Sequence, residues 1–144
     1  MAEPTLVSVR LVRRFAVSPE RLFDAWLDPG IASRWLFTSP ASQANQTDID
    51  ARVGGTWRIR DRRGGVDYTG HGEYLEIDRP RRLVFTFGMP QFSPVMNRIT
   101  VEIAADGAGA VLTLTHEGVP DTDREGLEMG WTDMFGHLDR ALTD

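Results

Sequence analysis

The sequence predicts an α+β protein in which a curved antiparallel sheet of about six to seven strands packs around a long C-terminal helix. Three observations carry this. The run from Glu125 to Leu142 keeps an unbroken helical period, with Leu127, Trp131, Met134, Phe135, Leu138 and Leu142 at spacings of three and four on one face. The middle of the chain alternates apolar and polar residues in short segments separated by glycine-containing turns, which makes neighbouring strands antiparallel. Between the first strand and that middle stretch stand two helix starts, Ser18-Pro19-Glu20 and Asp28-Pro29.

In chain order, Thr5 to Phe15 reads as the first strand, with Val7, Val9 and Leu11 set against Ser8 and Arg10. Ser18 is an N-cap with Pro19 at the first helical position, and Leu22, Phe23, Trp26 and Leu27 form the buried side of a first short helix. Asp28-Pro29 ends it and opens a second through Ile31, Trp35 and Leu36, giving a bent pair. A polar loop rich in Ser, Ala, Gln and Asn is expected next. Strands then run from Asp48 to Val53, through Trp57 and Ile59 on one face, from Tyr68 to Ile77, from Leu83 to Phe87, from Ile99 to Ala104 and from Val111 to His116. Gly70 and Gly72 suggest curvature or room above the sheet. Gly130 and Gly136 lie inside the final helix, where each costs about 1 kcal/mol against alanine, so close backbone approach or space for something else is expected there. The loop from Gly88 to Met96 carries Met89, Phe92, Val95 and Met96 and reads as a mobile rim, or else as a dimer contact.

At 144 residues without repeats, the chain fits one domain spanning residues 1–144. It contains no cysteine, which removes disulfides, thiol nucleophiles and thiolate metal sites and suits a cytoplasmic protein. Nothing in it reads as a signal peptide or a membrane-crossing segment. The net charge is −5 and the 16 basic residues, all arginine, are scattered among acids, which argues against nucleic-acid binding.

Candidate chemistry is sparse. His116 shares a strand face with Leu112 and Leu114 and points inward, while Glu117 beside it points outward, so the two do not share a metal. His71 lies between two glycines and His137 at the edge of the helical stripe. There is no HExxH, no GxSxG and no phosphate loop, so no metal and no cofactor is expected and no catalytic residue is assigned. Glu73 and Glu76 fall on opposite faces if their strand alternates regularly. The residues that stand out are apolar and aromatic. Trp57, Ile59, Tyr74, Phe85, Phe87, Trp131, Met134 and Phe135, with His116, are the candidate ligand-binding set between sheet and helix.

Several segments in order resemble a known family: SPERLFDAWLDP at 18–29, SRW at 33–35, VGGTWRI at 53–59, GEYLEIDRPRRLVFTF at 72–87, LTLTHEGVP at 112–120, and GW followed by FGHLDRAL at 130–142. They resemble the START-like, or SRPBCC, superfamily and its branch named after the C-terminal domain of the heat-shock protein 90 ATPase activator. The resemblance implies a helix-grip fold with a cavity between sheet and last helix that takes a hydrophobic small molecule such as a lipid, sterol or polyketide. It also implies two alternatives: a cochaperone-like interaction protein, with a chaperone as partner, and a cyclase or hydratase using a pocket acid or base. Binding without catalysis is favoured.

Overall fold

The computed structural model describes residues 5–38, 41–90 and 95–143. Seven strands, β1 (Leu6–Phe15), β2 (Ala44–Ile49), β3 (Thr56–Arg63), β4 (Val66–Asp78), β5 (Arg82–Phe87), β6 (Asn97–Asp106) and β7 (Gly109–Pro120), form one sheet in the order β1-β7-β6-β5-β4-β3-β2. Every pairing is antiparallel. Helices α1 (Pro19–Leu27) and α2 (Pro29–Ala32) follow β1, and α3 (Arg124–Thr143) closes the chain after a single 3₁₀ turn. This is the α+β helix-grip arrangement, a curved sheet closed around the last helix.

Local chemistry places the elements. The Arg21 amide donates to Ser18 Oγ at 3.2 Å and the Gly30 amide to Asp28 Oδ1 at 2.9 Å, so both short helices begin on the caps that their sequences offer. Leu22, Phe23, Ala25 and Trp26 of α1 are buried, as are Trp131, Phe135, Leu138, Ala141 and Leu142 of α3. These side chains meet the inward face of the sheet, where Ile59, Leu83, Phe85, Ile99, Val101, Leu112 and Leu114 alternate inward at the period of two that a half-buried sheet imposes. Register slips between Val7 and Val9 and between Tyr74 and Glu76 mark irregularities of the kind that bend and twist a strand. The second slip places both Glu73 and Glu76 at the surface, where Glu76 pairs with Arg82 at 3.1 Å.

Two expectations need correction. The polar stretch expected to be a loop contains β2, which runs Ala44–Ile49, whereas a strand was expected from Asp48 to Val53. The strand ANQTDI is the edge of the sheet, bonded only to β3 and largely open to solvent, so no apolar alternation marks it. The glycines of β4 leave no room above the sheet. A Cβ on Gly72 would collide with the Thr86 carbonyl and stand 2.6 Å from Trp57 Nε1, and one on Gly70 would touch the Trp57 ring at 3.5 Å. Trp57 lies across both glycines and donates from Nε1 to the Thr86 oxygen at 3.1 Å.

Candidate functional site

The interior between sheet and helix is closed at one end by large rings. Trp26 packs edge-on against Trp35, with centroids 4.7 Å apart, and contacts Trp131, Phe85 and Phe135 at 6.0, 6.0 and 6.5 Å. Trp35 Nε1 donates to the Ala25 carbonyl at 3.0 Å, whereas Trp26 Nε1 is buried with no acceptor among the described residues. Trp57, Ile59, Tyr74 and Phe85, four of the candidate ligand residues, surround a void of only about 10 Å³ here. That is room for about one water molecule, not for a lipid or sterol. Burial, with the Asp50 charge adding to it, pushes the Tyr74 hydroxyl well above the usual phenol range.

His116 lies beneath α3 and is 1% exposed. Its Nδ1 accepts from Trp131 Nε1 at 3.1 Å, which assigns the proton to Nε2, and Nε2 donates to Asn97 Oδ1 at 3.2 Å. Asn97 Nδ2 in turn donates to the Gly118 carbonyl at 3.1 Å. Burial lowers the His116 pKa to about 4, so the ring is neutral near pH 7. Both nitrogens are committed within the protein, and their work is to fix the orientation of Trp131.

The open region lies along the N-terminal half of α3. A groove of about 610 Å³ is lined by Phe87, Met89, Val95, Pro120, Gly126 and Leu127 among others. A second, of about 370 Å³, is lined by Phe37, Thr38, Met89, Gly130, Met134 and His137 with Arg63 and Asp133, so Met89 borders both. Of the nine candidate residues, Phe87 lines the first groove, Met134 the second, four surround the small void, and His116, Trp131 and Phe135 are buried. Met89 and Val95 take the rim position expected of their loop, while Phe92 lies outside the described residues. The glycines of α3 are explained by open space and not by close approach, since a Cβ on Gly126, Gly130 or Gly136 would meet nothing within 4 Å.

Three important residues escape sequence reasoning. Phe37, just after α2, has φ 52°, the left-handed region, where a bulky side chain is an outlier. Its ring stacks on Phe87 at 4.8 Å and Trp57 at 5.4 Å and meets the edge of Trp131 at 5.5 Å. Its amide points at Met134 Sδ, 3.2 Å away. Asp61, 1% exposed, accepts from Thr38 Oγ1, Ser42 Oγ and Asn45 Nδ2 at 3.0, 2.8 and 3.1 Å and pairs with Arg63 Nε at 2.7 Å. This buried carboxylate ties the segment after Phe37 to β3. It shares the inward parity of Trp57 and Ile59, a signal that the alternation already contained. Asn97, the third, opens β6 directly after a stretch of prolines and methionines and carries no signal of its own.

The family described as activator of Hsp90 ATPase homolog 1-like protein matches residues 16–143. The chain belongs to this family. A search of curated proteins finds no match. Among solved structures, CV1439 from Chromobacterium violaceum superposes with a TM-score of 0.87 at 27% identity, covering 95% of this chain and 97% of that one. SA2116 from Staphylococcus aureus gives 0.81 at 20% identity, with 97% and 95% covered. DynU16, from the dynemicin biosynthetic locus, gives 0.76 at 18% identity and covers 94% of this chain but 46% of its own. These likenesses place the Hsp90-activator-like chain in the START-like superfamily. In this member the centre of the grip is filled by its own aromatic rings, and the larger open grooves lie at the edge of α3. Among the described residues no helix is long and apolar enough to cross a membrane, and no three His, Asp or Glu side chains gather closely enough to hold a metal ion.

Proposed function

We propose that the protein binds an apolar small molecule, of lipid, sterol or polyketide type, in the groove beside the N-terminal half of α3. The observation that carries this reading is the 610 Å³ groove with its apolar rim, a volume within the range of small-molecule sites. The glycine in its wall supports it, because Gly126 sacrifices helix stability where no neighbour demands a missing side chain. The committed nitrogens and neutral state of His116 near pH 7 support binding over acid–base catalysis by that residue.

The test is titration with dodecanoate, followed by native mass spectrometry. Gly126→Trp fills the groove from a position with open space around it, so the variant should fold and lose saturable binding at least tenfold. Equal binding by both proteins, or none by either, overturns the reading. The family description favours a second reading, a cochaperone that acts through its surface. Stimulation of an Hsp90 ATPase by wild type and by Gly126→Trp alike would support that reading over the first.

A further inference from the structure

The rings of Trp57 and Phe87 are parallel to within 11°, with centroids 6.1 Å apart, and together form a flat apolar platform. Phe37 lies on that platform, tilted 15° from Trp57 and 26° from Phe87, while Trp131 presents its edge at one side. Phe37 alone of these four belongs to no helix or strand, whereas the others are held by β3, β5 and α3; Phe37 and Phe87 are half-buried. Among the described residues it is the only non-glycine with positive φ. A strained backbone lowers the cost of releasing the ring, because leaving the platform lets the residue return to a favoured conformation. Beside the ring lies the 370 Å³ groove, which it lines itself, so open volume already borders the ring it would vacate.

We infer that the Phe37 ring is an internal plug in a slot on the Trp57 and Phe87 platform, and that this slot takes the planar aromatic ring of a ligand. The class follows from shape and charge. Two parallel faces and one ring edge reward a flat ring that can stack and offer nothing comparable to a puckered saturated ring of the same carbon count. No charged side chain lies among the three platform and wall residues, so the part of the guest inside the slot is neutral. A polar substituent would point toward Thr38 and His137 in the adjoining groove. Binding and ring release are then one exchange, and the apparent affinity of wild type is lowered by the fraction of time that the plug is in place. The inference deepens the proposed binding role: the slot shares Phe87 with the larger groove but opens on the smaller one, which Phe37 lines and Gly126 does not.

The experiment compares 2-naphthol with decahydro-2-naphthol, the saturated analogue, by calorimetric titration of wild type, Phe37→Gly and Gly126→Trp. Glycine suits φ 52° and removes the plug, so Phe37→Gly should bind 2-naphthol at least tenfold more tightly than wild type and the saturated analogue less than threefold more tightly. Equal gains for both probes, or no gain for 2-naphthol, overturn the slot. Gly126→Trp should leave 2-naphthol affinity unchanged. If it instead abolishes binding of dodecanoate and 2-naphthol alike, all guests sit in the larger groove and the slot is overturned while the groove stands. If Phe37→Gly does not fold, hydrogen exchange on wild type decides: saturating 2-naphthol should accelerate exchange of the Phe37 amide as the ring leaves, and unchanged or slower exchange overturns the plug.

Discussion

The two halves of α3 solve opposite problems. Its C-terminal half sets Phe135, Leu138, Ala141 and Leu142 into the core, all of them buried. Its N-terminal half carries Gly126 and Gly130 beside open grooves, and Leu127 there is only half-buried. Trp131 stands at the boundary, buried and held by His116. The difference teaches that an amphipathic stripe is not evenly a core-forming surface. One end of the helix is kept for packing, and the other gives up packing to leave volume beside the sheet.

The largest effect on that contrast should come from Trp131→Ala. The ring is 1% exposed and packs against Trp26, Phe37 and Phe135, so its loss should cost about 3–5 kcal/mol in urea unfolding. A loss below about 2 kcal/mol would move the boundary of the open region inward past Trp131.

Next in size is a pH effect through His116. Its pKa is about 4 in the folded protein and 6.5 in the free side chain, so below pH 6.5 the unfolded chain binds the proton first. Stability from this residue is therefore complete above pH 6.5 and declines as pH falls toward 4, by a total on the order of 3 kcal/mol. His116→Gln keeps an acceptor for Trp131 and a donor for Asn97 but cannot titrate, so its urea midpoint should lack this slope. An unchanged slope would place the titration in another group.

Asp61→Ala should cost about 2 kcal/mol, since it removes the acceptor shared by Thr38, Ser42 and Asn45 and the partner of the Arg63 guanidinium. It should also loosen the segment that holds Phe37, seen as faster hydrogen exchange at residues 37 and 38. A stability loss without faster exchange would detach Asp61 from the placement of Phe37.

The smallest change has the opposite sign. Gly130→Ala should stabilise the protein by about 1 kcal/mol, because the added methyl meets nothing within 4 Å and alanine favours helix. The same change at a position packed against the core would destabilise, so a loss here would show that the open half is more closely covered than its grooves suggest.

Much of this frame was legible in the chain. The caps at Ser18 and Asp28, the alternation through Trp57 and Ile59, and the period of α3 are local signals, and local hydrogen bonding and burial obey them. The edge strand β2 was not legible, because a strand bonded on one side and solvated on the other need not alternate. The filled interior was not legible either. Gly70 and Gly72 signal only that side chains are missing there, and the ring that occupies the space comes from Trp57, opposite Gly72 on the neighbouring strand. Phe37 carries no periodic signal at all, since its place is set by Asp61 and Met134, which are 24 and 97 residues further along the chain.

The order of the sheet also governs how the chain assembles in time. β1 finds its partner in β7, with Val9 opposite His116 and Leu6 opposite Pro120. β1, which ends at Phe15, thus stays unpaired along that edge until the chain has been extended to β7, which begins at Gly109, while β3 and β4 meet at once through a two-residue turn. Closing so long a loop is entropically expensive before the ladder repays it. The β3–β4 hairpin can therefore form early and locally, but the edge that supports α3 is completed only after the C-terminal third exists. During translation, Val7, Val9 and Leu11 are apolar side chains waiting for a surface, and until β7 exists they add to the exposed apolar surface through which unfinished chains aggregate.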